Sequence, residues 1–504
     1  MTAESGTTER CSVVIVGGGT CGLAAACELL QLGVSVRLLE SQPEAAKGSR
    51  AILLWPLGLA VLRHLGLYEE AVRRGLPLRS LVYHLDGGRR LRSEIGAENE
   101  ALLLPQEQTS RLLEERLTEL GGRVERSARV TDVVADDRGV TVKTQGPEGG
   151  ELVEADWLIG ADGLGSTVRE RLGVEFPGTT LPTTYLAAEG RVDGEAERGA
   201  VHYFLRSTGP MVFAPLRDGV TRLGTPVGPD TPLVAETVQR LLDERGPGGL
   251  RVRELDTLDT FGSQERIATE LRKGRCFLVG DAAHTHSPIG GQGLNLGLQD
   301  VHNLAWKLAG VISGTFDAAI LDSYDSERRQ AAEQILVNTG RFTRMFTLGP
   351  AAARVRNAAW RLLETTGVLR RRLVPLLAGW RVRYEGGGLT SEPERTGRGL
   401  RARGLRQPPL PGSRTPSWVP PAGAGADPLA FRMVTTGPVG GALAVAARSV
   451  AAAFPRQVRH EHLSRPGAAF LLLRPDGFVA ASGTTPEGAR RAGTLLADLV
   501  TRPA

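Results

Sequence analysis

At 504 residues the chain is longer than one ordinary globular core, which indicates two or three domains. Hydrophobic residues make up 41% and charged residues 23%, the balance of a globular protein, and no stretch reaches the roughly 20 apolar residues of a membrane-spanning helix. The net charge of +5 is spread thinly along the sequence, which argues against a nucleic-acid partner and favours a small molecule.

The N-terminal stretch predicts a strand, a glycine-rich turn, a helix and a second strand. Ser12–Val16 is the first strand, and its apolar run, Val13–Val16, is too short for a signal peptide, so we expect a cytoplasmic protein without membrane contacts. Gly17 to Gly22 follow, then a helix over Leu23–Leu32 and a strand over Val34–Leu39. Such glycines let the backbone approach a pyrophosphate at the helix N-terminus. Glu40, at the end of the second strand, is placed to accept hydrogen bonds from an adenosine ribose.

Further strands are predicted between Arg123 and Val142, and Asp156–Asp162 returns a buried strand to the same sheet. The chain then turns at Asp162-Gly163, and a helix begins near Ser166. Ser166 is a good N-cap residue, so a purely structural interpretation of this turn stays open beside a ligand-binding one.

From about Thr183 to Val227 the pattern alternates, which predicts a separate antiparallel sheet inserted in the nucleotide-binding fold. Tyr185, His202 and Tyr203 lie on this sheet and are candidates to face a substrate. Such residues in alternating strands are more often packed or solvated, so the sequence identifies no catalytic residue.

A third glycine-rich segment runs from Gly280-Asp281 into a long helix. The apolar face of that helix repeats at helical spacing, over Leu294, Leu298, Val301, Ala305, Leu308 and Ile312. An aspartate at a strand end suits a polyol hydroxyl, and the helix start presents N–H dipoles to an electron-rich heterocycle. His284 and His286 are expected to bond local backbone groups.

The C-terminal third contains a linker and a small domain. Gly386 to Asp427 is rich in Gly, Pro and Arg, which indicates a linker, and a strand over Ala468–Leu473 precedes a turn at Arg474–Gly477. The four cysteines show no metal-ligand spacing, so we expect reduced thiols and no metal.

In this order and spacing, these motifs resemble those of the class A flavoprotein monooxygenases of the p-hydroxybenzoate hydroxylase fold, over roughly residues 11 to 400. The resemblance implies bound FAD and assigns binding residues along the chain. The residues are Gly17, Gly19, Gly22 and Glu40 for the AMP part, Arg50 for the pyrophosphate, Gln106 near the flavin and ribityl chain, Asp162 and Gly163 of the DG motif, Asp281 for the ribityl hydroxyls, and Pro288, Gly291, Gly293, Leu294 and Asn295 around the isoalloxazine.

The fold that the resemblance implies is α/β, with a Rossmann-like FAD-binding domain (GR2 type), an inserted antiparallel β-sheet substrate domain and a small C-terminal thioredoxin-like α/β domain. The expected boundaries are 1–175 and 273–395 for the two parts of the FAD-binding domain, 176–272 for the substrate domain, 396–427 for the linker and 428–504 for the C-terminal domain.

The C-terminal region resembles that of the aromatic polyketide hydroxylases, on the segment Leu473–Ala480. It departs from that branch in Ala481-Ser-Gly, where Trp-Arg is common. Because no cysteine follows Cys276, dithiol chemistry is excluded there, and we expect the segment from residue 428 to be dispensable for flavin chemistry.

The reaction implied is hydroxylation of an aromatic, polyketide-derived molecule with O2 and NADPH or NADH, through a flavin C4a-hydroperoxide. Only one dinucleotide motif is present, so we expect the nicotinamide to bind transiently. Baeyer–Villiger oxygenation, epoxidation, isoprenoid reduction and a non-catalytic FAD protein stay open as alternatives, as does a homodimer. A flavin halogenase is disfavoured because no WxWxIP segment is present.

Overall fold

The computed structural model describes residues 10 to 500, apart from 47, 49–50, 87, 89, 148, 207, 347, 349, 366, 368, 387, 394–407, 415–417 and 420–426. Among the helices in this part of the chain, none combines the length and apolar character needed to cross a membrane.

The first part of the chain holds the predicted strand, helix and strand, followed by short strands and helices. The elements are β1 (Cys11–Val16), α1 (Thr20–Gln31), β2 (Val36–Leu39), β3 (Leu53–Leu54), α2 (Pro56–His64), α3 (Tyr68–Arg74), β4 (Leu76–Leu78), β5 (Ser80–Leu85), β6 (Arg90–Glu94), β7 (Ala101–Leu103), α4 (Gln106–Glu119), β8 (Val124–Glu125), β9 (Arg129–Ala135), β10 (Val140–Gly146), β11 (Gly149–Gly160) and α5 (Thr167–Arg171).

In the middle of the chain two runs of strands, separated by one helix, are followed by a run of helices. The elements are β12 (Gly178–Asp193), β13 (Ala200–Arg206), β14 (Gly209–Pro215), β15 (Val220–Val227), α6 (Ala235–Arg245), β16 (Arg251–Ile267), β17 (Arg272–Lys273), β18 (Cys276–Leu278), β19 (His284–Thr285), α7 (Gly293–Ile312), α8 (Asp322–Phe346), α9 (Pro350–Thr365) and α10 (Val374–Leu377). The long helix predicted from the apolar repeat is α7.

The first sheet has the order β17-β18-β11-β1-β2-β8, with β10 on β11 and β9 on β10. At its centre β1 pairs in parallel with both β11 and β2. Val13, Val14 and Ile15 on β1 are fully buried, as expected for a parallel strand with helices on both faces. Because ligands bind beyond the carboxyl ends of such strands, the turn after β1 is the expected ligand position.

The second sheet has the order β19-β16-β12-β15-β14-β13-β5-β6. The antiparallel strands predicted between 183 and 227 are present as β12 to β15, but β5 and β6 also join this sheet, and β5 pairs with β13 in parallel. The sequence did not reveal β5 because all six of its residues are buried, which removes the alternating pattern.

The C-terminal unit consists of β20 (Phe431–Thr436), α11 (Ala442–Ala453), β21 (Val458–Leu463), β22 (Ala469–Leu473), β23 (Val479–Gly483) and α12 (Pro486–Leu499). Its four strands have the order β21-β20-β22-β23. Only the β20–β21 pair of this sheet is parallel. The strand and turn predicted at 468–477 are β22 and the turn to β23.

Candidate active site

The turn between β1 and α1 can be built only from glycines at two positions. Gly17 has a φ of 105°, and a Cβ there would lie 2.4 Å from the carbonyl oxygen of Ala161. A Cβ on Gly22 would lie 1.9 Å from the carbonyl oxygen of Gly17. A Cβ on Gly19, by contrast, would meet nothing within 4 Å, so the space in front of the helix is open.

The N-terminus of α1 faces this open space with its backbone N–H groups unused. The first intrahelical bond runs from Leu23 N–H to the Gly19 carbonyl (2.9 Å), so the preceding N–H groups have no partner in the helix. Gly19 has no side chain to cap them, and the first turn carries no acidic residue. An anion such as a pyrophosphate is the complement of this helix end.

Glu40 lies directly beside the glycine turn. Its Oε2 accepts a hydrogen bond from Gly18 N–H (2.6 Å), and its Oε1 accepts one from Gln42 N–H (2.8 Å). The carboxylate is therefore fixed at the carboxyl end of β2, where the sequence predicted a ribose-binding acid.

Gln106 begins α4 and reaches the first residue of α1. Its Nε2 donates to Thr20 Oγ1 at 3.5 Å, and its Oε1 accepts from Ala51 N–H at 3.3 Å. Two motifs far apart in sequence thus meet at the α1 N-terminus. Arg50 lies outside the described residues.

The Asp162-Gly163 turn holds the start of α5, which is the structural interpretation that the sequence left open. Asp162 accepts hydrogen bonds from the Ser166 hydroxyl and from Val168 N–H, and Arg169 N–H donates to the Ser166 hydroxyl at 3.0 Å. Ser166 is therefore the N-cap of α5, as predicted. Burial raises the pKa of Asp162, and the bonds from α5 oppose that rise.

The third motif packs directly against the first. A Cβ on Gly280 would lie 2.8 Å from Cys21 Sγ, and one on Gly297 would lie 2.5 Å from the same sulfur. Cys21 is in the first turn of α1 and Gly297 is in α7, so the two helix N-termini approach each other through glycines. Asp281 follows Gly280 and is exposed at this junction.

Asp300 on α7 holds the segment that carries Asp281. Its Oδ2 bonds both Gly280 N–H (3.0 Å) and His284 Nε2 (2.8 Å). His284 therefore bonds a side-chain carboxylate rather than the local backbone group expected from the sequence. Although burial opposes ionisation, His284 and Arg328 hold the pKa of Asp300 below its usual value.

The residues that lead into α7 differ from the expectation in one detail. Gly291 N–H donates to the Pro288 carbonyl (3.2 Å), so these two predicted ligand groups bond each other. The first intrahelical bond of α7 runs from Leu296 N–H to the Gln292 carbonyl (2.8 Å). The N–H groups of Gly293, Leu294 and Asn295 therefore make no intrahelical bond and remain at the helix end.

The inner face of the second sheet lies over this helix end. Tyr203 stacks on Tyr83 (centroids 5.3 Å apart), and both belong to a buried cluster against which Ile289 packs. In register beside Tyr203 lie Val212 and Gly224, and a Cβ on Gly224 would meet nothing within 4 Å. A side chain at position 224 would therefore have room on this face.

The three aromatic and histidine candidates do not share one face. Tyr203 is on the inner face, and Tyr185 lies near the Ser287 hydroxyl beside α7, where burial raises the pKa of its phenol. His202 points to the opposite face, where it bonds His84 (3.0 Å). His202 therefore does not share the inner face with Tyr203, because consecutive strand residues point to opposite faces.

Two features of the site were missed from the sequence. Glu189 and Arg222 lie opposite each other on β12 and β15 and form a mostly buried ion pair (3.5 Å). His286 Nδ1 bonds the Ser287 carbonyl (2.9 Å), as expected, which requires Nδ1 to carry the proton. Its Nε2 is then a buried acceptor without a hydrogen-bond partner. The sequence signal for the Glu189–Arg222 pair was a charged residue at an alternate position in each of two apolar strands.

Within the described ranges, no group of three or more His, Cys, Asp or Glu side chains is arranged to hold a metal ion. The four cysteines are free thiols. Burial raises the pKa of Cys27 and of Cys276 to about 12, so neither is prepared to act as a nucleophile.

Comparison with known proteins agrees with this geometry. Residues 10–339 match the family described as FAD binding domain. The chain is 32% identical to 6-methylpretetramide 4-monooxygenase from Streptomyces rimosus, over 95% of this chain and 92% of that protein. It is also 32% identical to dialkyldecalin synthase from Streptomyces rugosporus, over 93% and 95%. The solved structure of OxyS anhydrotetracycline hydroxylase from Streptomyces rimosus has a TM-score of 0.76 and 30% identity, over 98% and 100% of the two chains.

Proposed function

Because the chain belongs to the FAD binding domain family and is an FAD-dependent aromatic monooxygenase, we propose that it hydroxylates a polycyclic, polyketide-derived substrate. The observation that carries the proposal is the similarity over nearly the whole chain to a pretetramide monooxygenase, together with the open space above Gly224.

The residues present fit FAD at both ends of the molecule. The bare N-terminus of α1 suits the pyrophosphate and Glu40 suits the adenosine ribose, while Asp281 is exposed where the ribityl chain would leave the pyrophosphate. Arg50 and Gln106 would complete the pyrophosphate and flavin contacts. The Asp162-Gly163 turn packs against Gly17 and supports the glycine turn between β1 and α1.

When bound, FAD supplies the redox chemistry, accepting a hydride from NADPH or NADH and activating O2 for transfer of one oxygen atom. The chain contributes orientation and electrostatics. The N–H groups at the start of α7 that make no intrahelical bond would hold the isoalloxazine edge, where their dipoles would stabilise negative charge.

The substrate would lie between the α7 N-terminus and the inner face of the second sheet. Tyr203, Val212 and Gly224 lie side by side in register on this face, an arrangement that would suit a fused aromatic ring system. The Glu189–Arg222 pair on the same face can bond a carbonyl or hydroxyl on the ring edge. His286 Nε2 offers one further acceptor near the start of α7.

We infer the same domain layout that the sequence suggested, with one addition. The FAD-binding parts are 1–175 and 273–395, and the substrate domain is 176–272 joined by strands β5 and β6. The C-terminal region 428–504 is thioredoxin-like, which its strand order and its single parallel pair support.

A second candidate function keeps FAD but not the oxidation. The dialkyldecalin synthase relative matches this chain almost end to end, and its name describes ring formation rather than oxygen insertion. In that case the FAD would shape the cavity above Gly224, and substrate turnover would consume no reduced nicotinamide.

The experiment is to purify the protein, release its flavin by denaturation, and measure NADPH and NADH oxidation with a panel of polycyclic phenols. We expect non-covalent FAD and substrate-stimulated oxidation. Gly224→Val should abolish the stimulation while leaving FAD content unchanged, because the new side chain fills the open space without touching the α1 N-terminus. A protein that releases no FAD, or a Gly224→Val variant with unchanged stimulation, would refute the proposal.

A further inference from the structure

A cluster of fully buried charges joins the C-terminal unit to the helices of the FAD-binding part. Arg474, in the turn after β22, bonds both Glu327 on α8 and Asp476 two residues on. Glu327 Oε2 also accepts from Lys307 Nζ (2.8 Å) and from Asn303 Nδ2 (2.8 Å), both on α7. The four charged side chains in this cluster are at most 1% exposed.

The cluster is closed, because each charge has partners inside it. Asn303 Nδ2 also donates to Asp476 Oδ2 (3.1 Å), so α7, α8 and the C-terminal turn all meet at this point. The two cations and two anions balance. Removing one member of such a group leaves an uncompensated buried charge, which costs several kcal/mol.

A second buried group begins at the next residue of α8 and ends at the segment carrying Asp281. Arg328 Nε donates to Asp300 Oδ1 (2.7 Å), and Asp300 Oδ2 in turn bonds Gly280 N–H and His284. Arg328 Nη1 donates to the Tyr384 hydroxyl (2.7 Å). Arg328 thus orients the Asp300 carboxylate through Oδ1, and Asp300 orients the 280–284 segment through Oδ2.

The C-terminal unit contacts this second group as well. Phe478, which follows the Arg474–Gly477 turn, stacks on Tyr384 with centroids 4.1 Å apart. Arg414 lies over the ring of Phe478 (4.2 Å to its centroid) and donates to the side-chain oxygen of Gln299 on α7. Two routes therefore lead from the C-terminal turn to Asp300, one through the neighbours Glu327 and Arg328 and one through Tyr384.

We propose that the turn from Arg474 to Phe478 is a positioning element of the FAD site, which fixes Arg328 and Asp300 and through them the segment that carries Asp281. This inference rests on the proposed function, in that FAD is the ligand of that segment. It replaces the expectation that the region from residue 428 is dispensable for flavin chemistry. The C-terminal unit needs no chemistry of its own for this role.

The test uses the full-length chain and two variants of the turn. Phe478→Leu removes the stack on Tyr384 and keeps an apolar side chain, and Arg474→Met removes the bonds to Glu327 and Asp476. The matched control is Arg432→Met, which breaks the Arg432–Glu461 ion pair (2.7 Å) between β20 and β21 of the same four-stranded sheet. The measurements are the Kd for FAD, the visible circular dichroism of the bound flavin and the melting temperature.

We expect both turn variants to raise the Kd for FAD by roughly tenfold or more and to alter the flavin dichroism, while Arg432→Met stays within about twofold. Tyr384→Phe, which keeps the stacked ring but loses the hydroxyl, should weaken FAD binding too. Combining it with Phe478→Leu should add little, because both act through Arg328.

A merely structural contact would give a different result. Lower melting temperatures with an unchanged Kd and flavin spectrum in the folded protein would overturn the proposal. If Arg474→Met does not fold, Phe478→Leu and Tyr384→Phe decide the question alone. A wild-type protein without affinity for FAD would instead refute the proposed function.

Discussion

The close approach of α1 and α7 makes Gly297 a sensitive position in the candidate site. Gly297→Ala places a Cβ 2.5 Å from Cys21 Sγ and 3.2 Å from Gly280 Cα, so the two helices must separate or the sulfur must move. Overpacking of this kind costs about 1–3 kcal/mol, while alanine in a helix interior regains about 1 kcal/mol. We expect a small net loss of stability but a displaced α7 N-terminus, and therefore a Kd for FAD raised by roughly tenfold, which corresponds to about 1.4 kcal/mol.

The compensating variant makes this prediction specific. Cys21→Ala removes the sulfur, after which Gly280 Cα at 3.2 Å is the nearest obstacle and requires only a small adjustment. The double variant Cys21→Ala with Gly297→Ala should therefore recover most of the FAD affinity, measured by equilibrium dialysis on the apoprotein. Wild-type affinity in the Gly297→Ala variant, or no recovery in the double variant, would refute the role given to this contact.

Three further predictions follow from individual side chains. Asp281→Ala should raise the Kd for FAD at least about tenfold, and Asp193→Ala, an exposed aspartate at the end of β12, should not change it; equal Kd values for the two variants would contradict the assignment. Burial lowers the pKa of His286 to about 4, whereas in the unfolded chain this side chain takes up a proton near pH 6.5. Acid therefore favours the unfolded state. Between pH 7 and pH 4, the free energy of unfolding of the wild type should fall by about 3 kcal/mol more than that of His286→Gln. Parallel urea titrations of both proteins at the two pH values measure this difference, and matching losses would show that His286 is not held neutral. Arg50→Ala should slow flavin reduction by NADPH or NADH far more than it slows the reaction of dithionite-reduced enzyme with O2; rapid mixing of the two half-reactions that shows equal slowing of both would remove Arg50 from that role.

The parts of the site that could be predicted from the sequence are those governed by backbone geometry. Gly17 and Gly22 are required by atoms 2.4 Å or closer to their absent Cβ positions, and such constraints leave a glycine pattern that is readable without a structure. Glu40 could also be predicted, because it stands directly after the second strand of the same strand–helix–strand unit. The N-cap role of Ser166 was also readable, because capping depends on local sequence alone.

The parts that could not be predicted depend on pairs of residues far apart in the chain. The partner of His284 is Asp300, a turn and a helix away, and the ion pair between Glu189 and Arg222 exists only because β12 and β15 are neighbours. The role of Arg474 was invisible for the same reason, since an Arg-Pro-Asp-Gly segment reads as a surface turn until α7 and α8 are packed on it. Strand β5 was missed because complete burial erases periodicity.

The central claim is that this chain transfers one oxygen atom from O2 to an aromatic substrate. The most direct test is turnover under 18O2 with NADPH and a polycyclic phenol that stimulates its oxidation, followed by mass spectrometry of the product. We expect a product that is heavier than the substrate by one atom of 18O, with one NADPH consumed for each product formed. A product with the mass of the substrate, formed without NADPH consumption, would contradict oxygen transfer and identify the bound flavin as a structural element of a ring-forming enzyme.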